Sequence, residues 1–259
     1  MLQENMLVKK QVEIARNIYE LTLAGDLVHE MEQPGQFLHL RVPRSDLLLR
    51  RPISLAEINQ ADKTCKLIYR ADGDGTQVLR QVMTNETIDV IGPLGVGFDT
   101  SMVAPGDRVF IIGGGIGVPP LYQLGKELAE KQANCVFLLG FGTKSAIFYE
   151  KEFSKLGVVM MATDDGSYGQ KGHVGHLIHQ AKQVYESPKA VYACGPTPLL
   201  RSVETVFDTH PHTYVSLEER MACGVGACYA CVCQSKKDPT KNKKVCDEGP
   251  VFKTGDVII

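Results

Sequence analysis

With 259 residues, 44% of them hydrophobic, the chain is long enough for about two domains with a well-filled core. Its 28 Lys plus Arg against 30 Asp plus Glu leave a formal charge of -2, which supplies no basic field for nucleic acid or for an anionic membrane. The start, Met1-Leu2-Gln3-Glu4-Asn5, lacks the apolar stretch of a secretory signal, and no run is long enough to span a bilayer. A cytoplasmic protein with reduced thiols is therefore predicted.

In chain order, the first hundred residues read as short strands at Val8–Ala15, Tyr19–Ala24, Gln36–Val42, Thr64–Tyr69 and Thr87–Ile91. Pro34-Gly35 and Asp72-Gly73 punctuate them, and only Thr76–Met83 looks helical. Closely spaced strands of this kind predict a small antiparallel β-barrel over residues 1–102. After Pro105-Gly106-Asp107 the rhythm changes to β-branched runs alternating with amphipathic stretches. Strands are expected at Arg108–Ile112, Cys135–Leu139, Val158–Ala162 and Ala190–Ala193, with helices at Pro119–Lys131, Tyr149–Leu156, Val174–Gln183 and Pro198–Phe207. That alternation predicts a doubly wound, parallel-sheet α/β domain over residues 103–215, with ligands outside the carboxyl ends of its strands. From Ser216 the periodicity is lost, and residues 216–259 form a third, small unit whose core would be mainly a metal group. The lysines between Lys236 and Lys244 are most simply a solvated loop.

That last unit carries the sharpest chemical signal, Cys223-Gly-Val-Gly-Ala-Cys228-Tyr-Ala-Cys231 followed by Cys246. C-x4-C-x2-C plus one later Cys is the spacing of a loop that wraps a [2Fe-2S] cluster, with the fourth thiolate on a returning segment. Gly224 and Gly226 allow the tight turns that bring bare N–H groups against sulfur. Zinc is the alternative, since Cys228-x2-Cys231 is half of a structural site, but a ribbon brings two such knuckles. Cys65, Cys135 and Cys194 lie singly in apolar stretches and read as small hydrophobes, and Cys233 is left outside the ligand set.

Two further patterns point to ligands. Gly113-Gly114-Gly115-Ile116-Gly117 follows a strand and opens a helix, which lets a dinucleotide pyrophosphate approach backbone N–H groups. Many sheets turn on such loops without binding anything, but Gly140-Phe-Gly142 and Cys194-Gly195-Pro196 end two other strands and would converge on the same crevice. Arg51-Pro52-Ile53-Ser54, expected at the end of a barrel strand, offers a forked phosphate donor and a small hydroxyl. An exposed Arg50-Arg51 pair beside an edge-strand proline would look the same. Gly75-Thr76 opens the barrel helix and would hold the same phosphates through free N–H groups, with Arg70 nearby.

Taken in order, the barrel with Arg-Pro-Ile-Ser, Gly-Pro-Leu-Gly-Val-Gly-Phe at 92–98, Gly-Gly-Gly-Ile-Gly, Cys-Gly-Pro and the cysteine loop resembles the ferredoxin-NADP reductase family. More narrowly, it is similar to the electron-transfer subunits of NAD-dependent, class 1B dihydroorotate dehydrogenases. The resemblance implies FAD held by Arg51, Pro52, Ile53 and Ser54, by Ile68, Tyr69 and Arg70, and by Gly75 and Thr76. It implies cluster ligands at Cys223, Cys228, Cys231 and Cys246, and Cys194 and Glu218 at the nicotinamide, where a buried strand-end thiol and a solvated Glu are the alternatives. The broader family usually has an aromatic residue where this chain has Ile53, so ring stacking on the flavin is in doubt there. The alpha subunit of bifurcating NADH-dependent ferredoxin:NADP oxidoreductases is the second candidate, but it typically has Asp at the first ligand position, here Cys223.

The function implied is electron transfer from the FMN of a catalytic dihydroorotate dehydrogenase subunit, through [2Fe-2S] and FAD, to NAD+ in pyrimidine biosynthesis, within a heterotetramer of two subunits of each kind. A flavin is needed as converter because the cluster passes single electrons and nicotinamide takes hydride. No general base for dihydroorotate is visible, which leaves that chemistry to the partner. Ser54 is the expected partner of flavin N5, Asp164-Asp165 should repel a 2′-phosphate and favour NAD over NADP, and Lys144 is the base nearest them. Val225 and Tyr229 are the expected apolar contacts with the catalytic subunit. A non-enzymatic, metal-stabilised nucleotide sensor stays open as a reading from another class.

Overall fold

The computed structural model describes residues 1–259. Six strands, β1 (Leu2–Ala15), β2 (Ile18–Ala24), β3 (Phe37–Leu40), β4 (Arg51–Asn59), β5 (Thr64–Arg70) and β6 (Thr87–Leu94), close into an antiparallel barrel in the order β1-β2-β5-β4-β3-β6. Helix α1 (Asp74–Leu79) plugs one end; it begins two residues before the expected Thr76, where Gly73 and the Thr76 hydroxyl cap its first turn, and it stops short of Met83. Met6, Val8, Leu21, Leu23, Leu38, Leu40, Leu55 and Leu67 alternate inward and fill the barrel. Strand β4 has no counterpart in the sequence reading. Arg51-Pro52-Ile53-Ser54 opens this strand instead of ending one, and the preceding Arg50 is drawn into an ion pair with Asp89 (2.7 Å) that leaves both side chains 16% exposed.

The second unit is a sheet of β7 (Arg108–Gly114), β8 (Asn134–Phe141), β9 (Gly157–Thr163), β10 (Gln170–Lys171), β11 (Ala190–Cys194) and β12 (Thr213–Ser216), all parallel. Period-two alternation sorts its two faces: Val109 and Ile111 join α2 (Pro120–Glu130) and α3 (Glu150–Ser154) on one side. Phe110 and Ile112 join α4 (Val174–Val184) and α5 (Thr197–Val206) on the other. The barrel packs on the first face, where Ala56 and Ile68 enter the same apolar cluster as Leu121. Polar contacts fix the docking: Gln123 accepts from the Ile58 N–H (2.9 Å), Lys126 pairs with Glu57 (2.7 Å), and the Tyr149 hydroxyl donates to Glu20.

The last segment forms a small hairpin, β13 (Val232–Gln234) with β14 (Asn242–Lys244). It then sends β15 (Val251–Lys253) antiparallel to β12 as the far edge of the large sheet. The tail expected to form a separate unit is thus stitched into the α/β sheet. Its core is an eight-residue cluster in which Cys231, Cys233 and Cys246 sit with Val245, Phe252 and Val257, completed by Phe37 and Leu94 of the barrel. The five lysines from Lys236 to Lys244 are each tied to an acid, Glu204, Asp256, Asp238, Glu248 and Asp247 in chain order, so the run is no basic patch.

Candidate functional site

A cleft of about 1140 Å³ runs between barrel and sheet. That exceeds the roughly 300–1,000 Å³ of a pocket for one drug-sized ligand. Its barrel wall is Arg51, Pro52, Ile53 and Ser54 from β4, Ile68, Tyr69 and Arg70 from β5, and Gly73, Asp74, Gly75 and Thr76 at α1. Its sheet wall is the three strand-end turns, Gly114-Gly115-Ile116-Gly117, Gly140-Phe141-Gly142 and Cys194-Gly195-Pro196, with Glu218 at the junction.

The residues do not all contribute alike. Tyr69 is buried in the barrel, its hydroxyl bonded to Gln11 (2.8 Å) and its ring stacked on Tyr19, so the cleft meets its backbone. Arg70 is held by Asp72 at the rim. The Arg51 guanidinium lies directly over Gly75, where any side chain would displace it, so a phosphate bound there would meet both. Gly113 does not line the cleft: its bare Cα packs against Val118, Leu121 and Leu139. Gly117 serves a close approach, since a Cβ there would come within 2.5 Å of Gly195 N and Cα. Phe37, His173, Ser202 and Met221 line the cleft without having been signalled by any motif. His173 caps α4 through Nδ1, which accepts from Gly175 N–H (3.1 Å), a pattern its position just before an apolar helix would have suggested.

At the end of β9 the two aspartates part company. Asp164 lines the cleft, whereas Asp165 binds Ser167, whose N–H and hydroxyl hold its carboxyl at about 2. Lys144 points at the Tyr168 ring (5.6 Å) and is not part of the cleft lining. Burial pushes the Cys194 thiol up to about 12 despite a contact with Ser216, and the Glu218 charge adds to the rise. It is therefore an inert neutral thiol at pH 7.

Beside the cleft, Gly224 (φ +72°) and Gly226 (φ +77°) fold the cysteine loop through left-handed turns. Backbone donors already face the sulfurs: Val225 N–H points to Cys223 Sγ (3.4 Å), Cys223 N–H to Cys228 Sγ (3.5 Å) and Gly226 N–H to Cys246 Sγ (3.2 Å). Burial raises the Cys223 thiol, yet the Val225 N–H, the neighbouring Cys228 thiol and the Cys228 and Ala227 N–H groups outweigh it and bring it down to about 7. The thiols fall into two neighbouring pairs, Cys223 with Cys228 and Cys231 with Cys246. Two pairs of thiols are the donor set that a [2Fe-2S] cluster takes, two sulfurs to each iron. Cys233 lies in the same small core, but its Sγ is turned to the Lys243 carbonyl (3.6 Å) and burial pushes it up to about 11. Val225 and Tyr229, 37% and 62% exposed, present the loop's apolar side to solvent.

Beneath the loop lies His39 of β3, fully buried. Neither ring nitrogen has a partner at hydrogen-bonding distance and angle, although the Arg50 and Cys223 carbonyls lie near enough to favour a ring proton weakly. Burial first, then the Arg50 charge, hold the imidazole down at about 4.

Residues 218–258 match the family described as the iron-sulfur cluster binding domain of dihydroorotate dehydrogenase B, and residues 111–205 match an oxidoreductase NAD-binding domain. Among curated proteins, the chain is 52% identical to the dihydroorotate dehydrogenase B (NAD(+)) electron transfer subunit of Enterococcus faecalis strain V583, covering 99% of this chain and 98% of that one. It is 50% identical to the subunit of the same name from Geobacillus sp. strain WCH70, over the full length of both. Among solved structures, that of an NADH-dependent reduced ferredoxin-NADP oxidoreductase superposes with a TM-score of 0.85 at 27% identity, over 98% of this chain and 90% of that one.

Proposed function

The chain belongs to the family of dihydroorotate dehydrogenase B electron transfer subunits, and from that premise we propose how its residues carry electrons between a catalytic FMN subunit and NAD+. The bound cluster supplies one-electron transfer, and FAD supplies the exchange between single electrons and the hydride of nicotinamide. Arg51 and the backbone at Gly75-Thr76 would hold the FAD pyrophosphate, and Pro52, Ile53 and the backbone at Ile68-Tyr69-Arg70 would receive its ring system. Ser54, on the same wall, would offer its hydroxyl to flavin N5. Gly114, Gly115 and Gly117 admit the NAD pyrophosphate to the opening of α2, and Gly140, Gly195 and Pro196 wall its path to the ring. Cys194, a neutral thiol, and Glu218 line the cleft where a nicotinamide would lie and would orient it without transferring a proton. Asp164 accepts from the adenosine ribose and disfavours a 2′-phosphate.

Cys223, Cys228, Cys231 and Cys246 hold the irons, with the loop donors stabilising charge on sulfur. The partner that covers Val225 and Tyr229 is the catalytic dihydroorotate dehydrogenase subunit, in a complex of two chains of each kind. A cytoplasmic location fits thiols that must stay reduced, and no helix is long and apolar enough to cross a membrane. The alternative, the alpha subunit of a ferredoxin oxidoreductase, rests on 27% identity against 52% for the family above.

One observation carries the proposal: a single cleft joins the Arg51–Ser54 wall to three glycine-lined strand ends, with two pairs of thiols at its margin. Anaerobically isolated protein should contain FAD, iron and acid-labile sulfide, bleach with NADH, and transfer electrons from dihydroorotate to NAD+ only when the FMN subunit is added. Colourless protein lacking iron would defeat it. A co-purifying partner with [4Fe-4S] clusters would favour the alternative.

A further inference from the structure

The buried imidazole under the cysteine loop has no role in the reading so far. His39 lies in the barrel strand β3, directly opposite Pro52 of β4, so the same strand pair that carries the Arg51–Ser54 wall also supports the metal loop. Its Nδ1 faces Gly224, the residue after Cys223, so closely that a Cβ there would lie 2.5 Å from Nδ1 and 2.9 Å from Cε1. Gly224 thus has two reasons to be glycine, its φ of +72° and this contact.

A neutral imidazole offers one N–H donor and one acceptor, and burying both unmet is unfavourable. Of the fully buried side-chain nitrogen and oxygen atoms, only the two of His39 make no hydrogen bond of proper geometry, with the nearby Arg50 and Cys223 carbonyls favouring a ring proton only weakly. An apolar residue would fill this position in a barrel strand whose neighbours are Leu38 and Leu40. Cys223 Sγ accepts from the Val225 N–H, with the Cys228 and Ala227 N–H groups also turned toward it, whereas a cluster at that loop presents further acceptor sulfurs.

We infer that His39 is a positioning residue for the iron-sulfur centre: its N–H is the donor reserved for the Cys223 side of the bound cluster, from the strand that also walls the flavin cleft. The inference rests on the cluster reading above. Donors to cluster sulfur favour the more negatively charged, reduced form, so His39 should raise the cluster's midpoint potential and stiffen the contact between loop and barrel.

The test uses the intact complex with the catalytic subunit. Protein grown with ring-15N histidine is reduced with dithionite, and pulsed electron paramagnetic resonance measures nitrogen coupling to the reduced cluster. Coupling to a histidine ring nitrogen is expected, and it should vanish in His39→Asn. In parallel, His39→Leu should keep its iron and show a midpoint shifted to more negative potential, with His39→Asn, whose amide replaces the donor near Nδ1, returning it toward the wild-type value. A reduced-cluster signal without histidine coupling in the wild-type protein overturns the inference, and needs no variant to fold. An unshifted midpoint in iron-replete His39→Leu does so as well. Absence of iron and of any cluster signal would instead overturn the cluster reading and this inference with it.

Discussion

Gly117→Ala tests whether the strand-end turns must touch. A methyl group at Gly117 would lie 2.5 Å from Gly195 N and Cα and 2.6 Å from the Cys194 carbonyl carbon. Comfortable carbon contacts need about 3.5–4.0 Å, so one turn has to retreat by about 1 Å. All three obstructing atoms are backbone, and the register pairs Cys194 with Gly113, so no side chain can swing aside to make room. Overpacking of this kind costs about 1–3 kcal/mol. In a chain of this length each kcal/mol moves the melting temperature by roughly 2–4 °C, giving a fall of about 2–12 °C. The retreating turn carries the donors proposed for the NAD pyrophosphate, so a loss of about 1.4 kcal/mol there should weaken NADH roughly tenfold. Stopped-flow reduction of the flavin at rising NADH concentration separates Kd from the limiting rate, and flavin fluorescence reports melting. Gly73→Ala is the matched control: its φ is −99° and nothing lies within 4 Å of an added Cβ, so its stability should stay within about 0.5 kcal/mol. If Gly117→Ala melts and binds NADH like Gly73→Ala, the proposed contact between the turns is refuted.

The adjacent arginines should separate cleanly. Arg51→Ala is expected to weaken FAD about 10–100-fold, the loss of a charge-assisted contact of about 1.5–3 kcal/mol, measured by fluorescence of released flavin. Arg50→Ala should spare FAD affinity yet cost about 1–3 kcal/mol in urea unfolding, less than a fully sealed pair because water reaches both partners. Burial raises the Asp89 carboxyl, but hydrogen bonds from Arg50 and Gln3 and the Arg50 and Arg41 charges outweigh it and hold it below its ordinary value. A depressed folded pKa stabilises above the unfolded value of about 3.9 and loses that contribution as pH falls through the lower folded value, so the wild type and Arg50→Ala should converge below about pH 4. Equal gaps at pH 7 and pH 3 would contradict this. Asp164→Asn should improve NADPH relative to NADH about fivefold, from removal of about 1 kcal/mol of like-charge repulsion, and an unchanged kcat/KM ratio would remove Asp164 from cofactor choice. Cys233→Ser should retain full iron and sulfide, whereas Cys246→Ser should lose the cluster spectrum, and equal losses would place Cys233 among the ligands.

How much of this was legible depended on the range of the interaction that decides each element. The helices and strands between Arg108 and Phe207 lie within a few residues of their expected positions, because a buried parallel strand and an amphipathic helix announce themselves by local period. Strand β4 escaped because Arg51-Pro52 disguises its start and Glu57 interrupts its apolar run. Its place is decided by pairing with β3 and β5 and by Lys66 and Lys126, which both reach Glu57. Strand β15 escaped because three residues carry no period, and 34 residues separate it from its partner β12. Among the site residues, glycines and cysteines were visible by spacing, while His39, Phe37 and Met221 had no motif. What makes them part of the site is the docking of the tail on the barrel.

That docking explains why the metal loop and the nucleotide cleft share one margin. After Cys246 the chain runs to Gly249, whose carbonyl accepts from Val96 N–H (2.6 Å) at the barrel rim. Pro250 next accepts from Leu217 N–H (2.8 Å) and lines the cleft, and Val251 begins the strand that pairs with β12. Three consecutive residues therefore clamp barrel, cleft and sheet together, a few residues beyond Cys246, one of the proposed ligands. A free-standing metal domain on a flexible tether would sample many distances to the flavin, and electron transfer would wait on chance approach. Here Phe37 and Leu94 from the barrel complete the core around Cys231 and Cys246, so the loop cannot leave without exposing apolar surface. The small third unit gains its stability from the same contacts that set its distance from the cleft, which is how a segment with too little core of its own becomes a fixed relay.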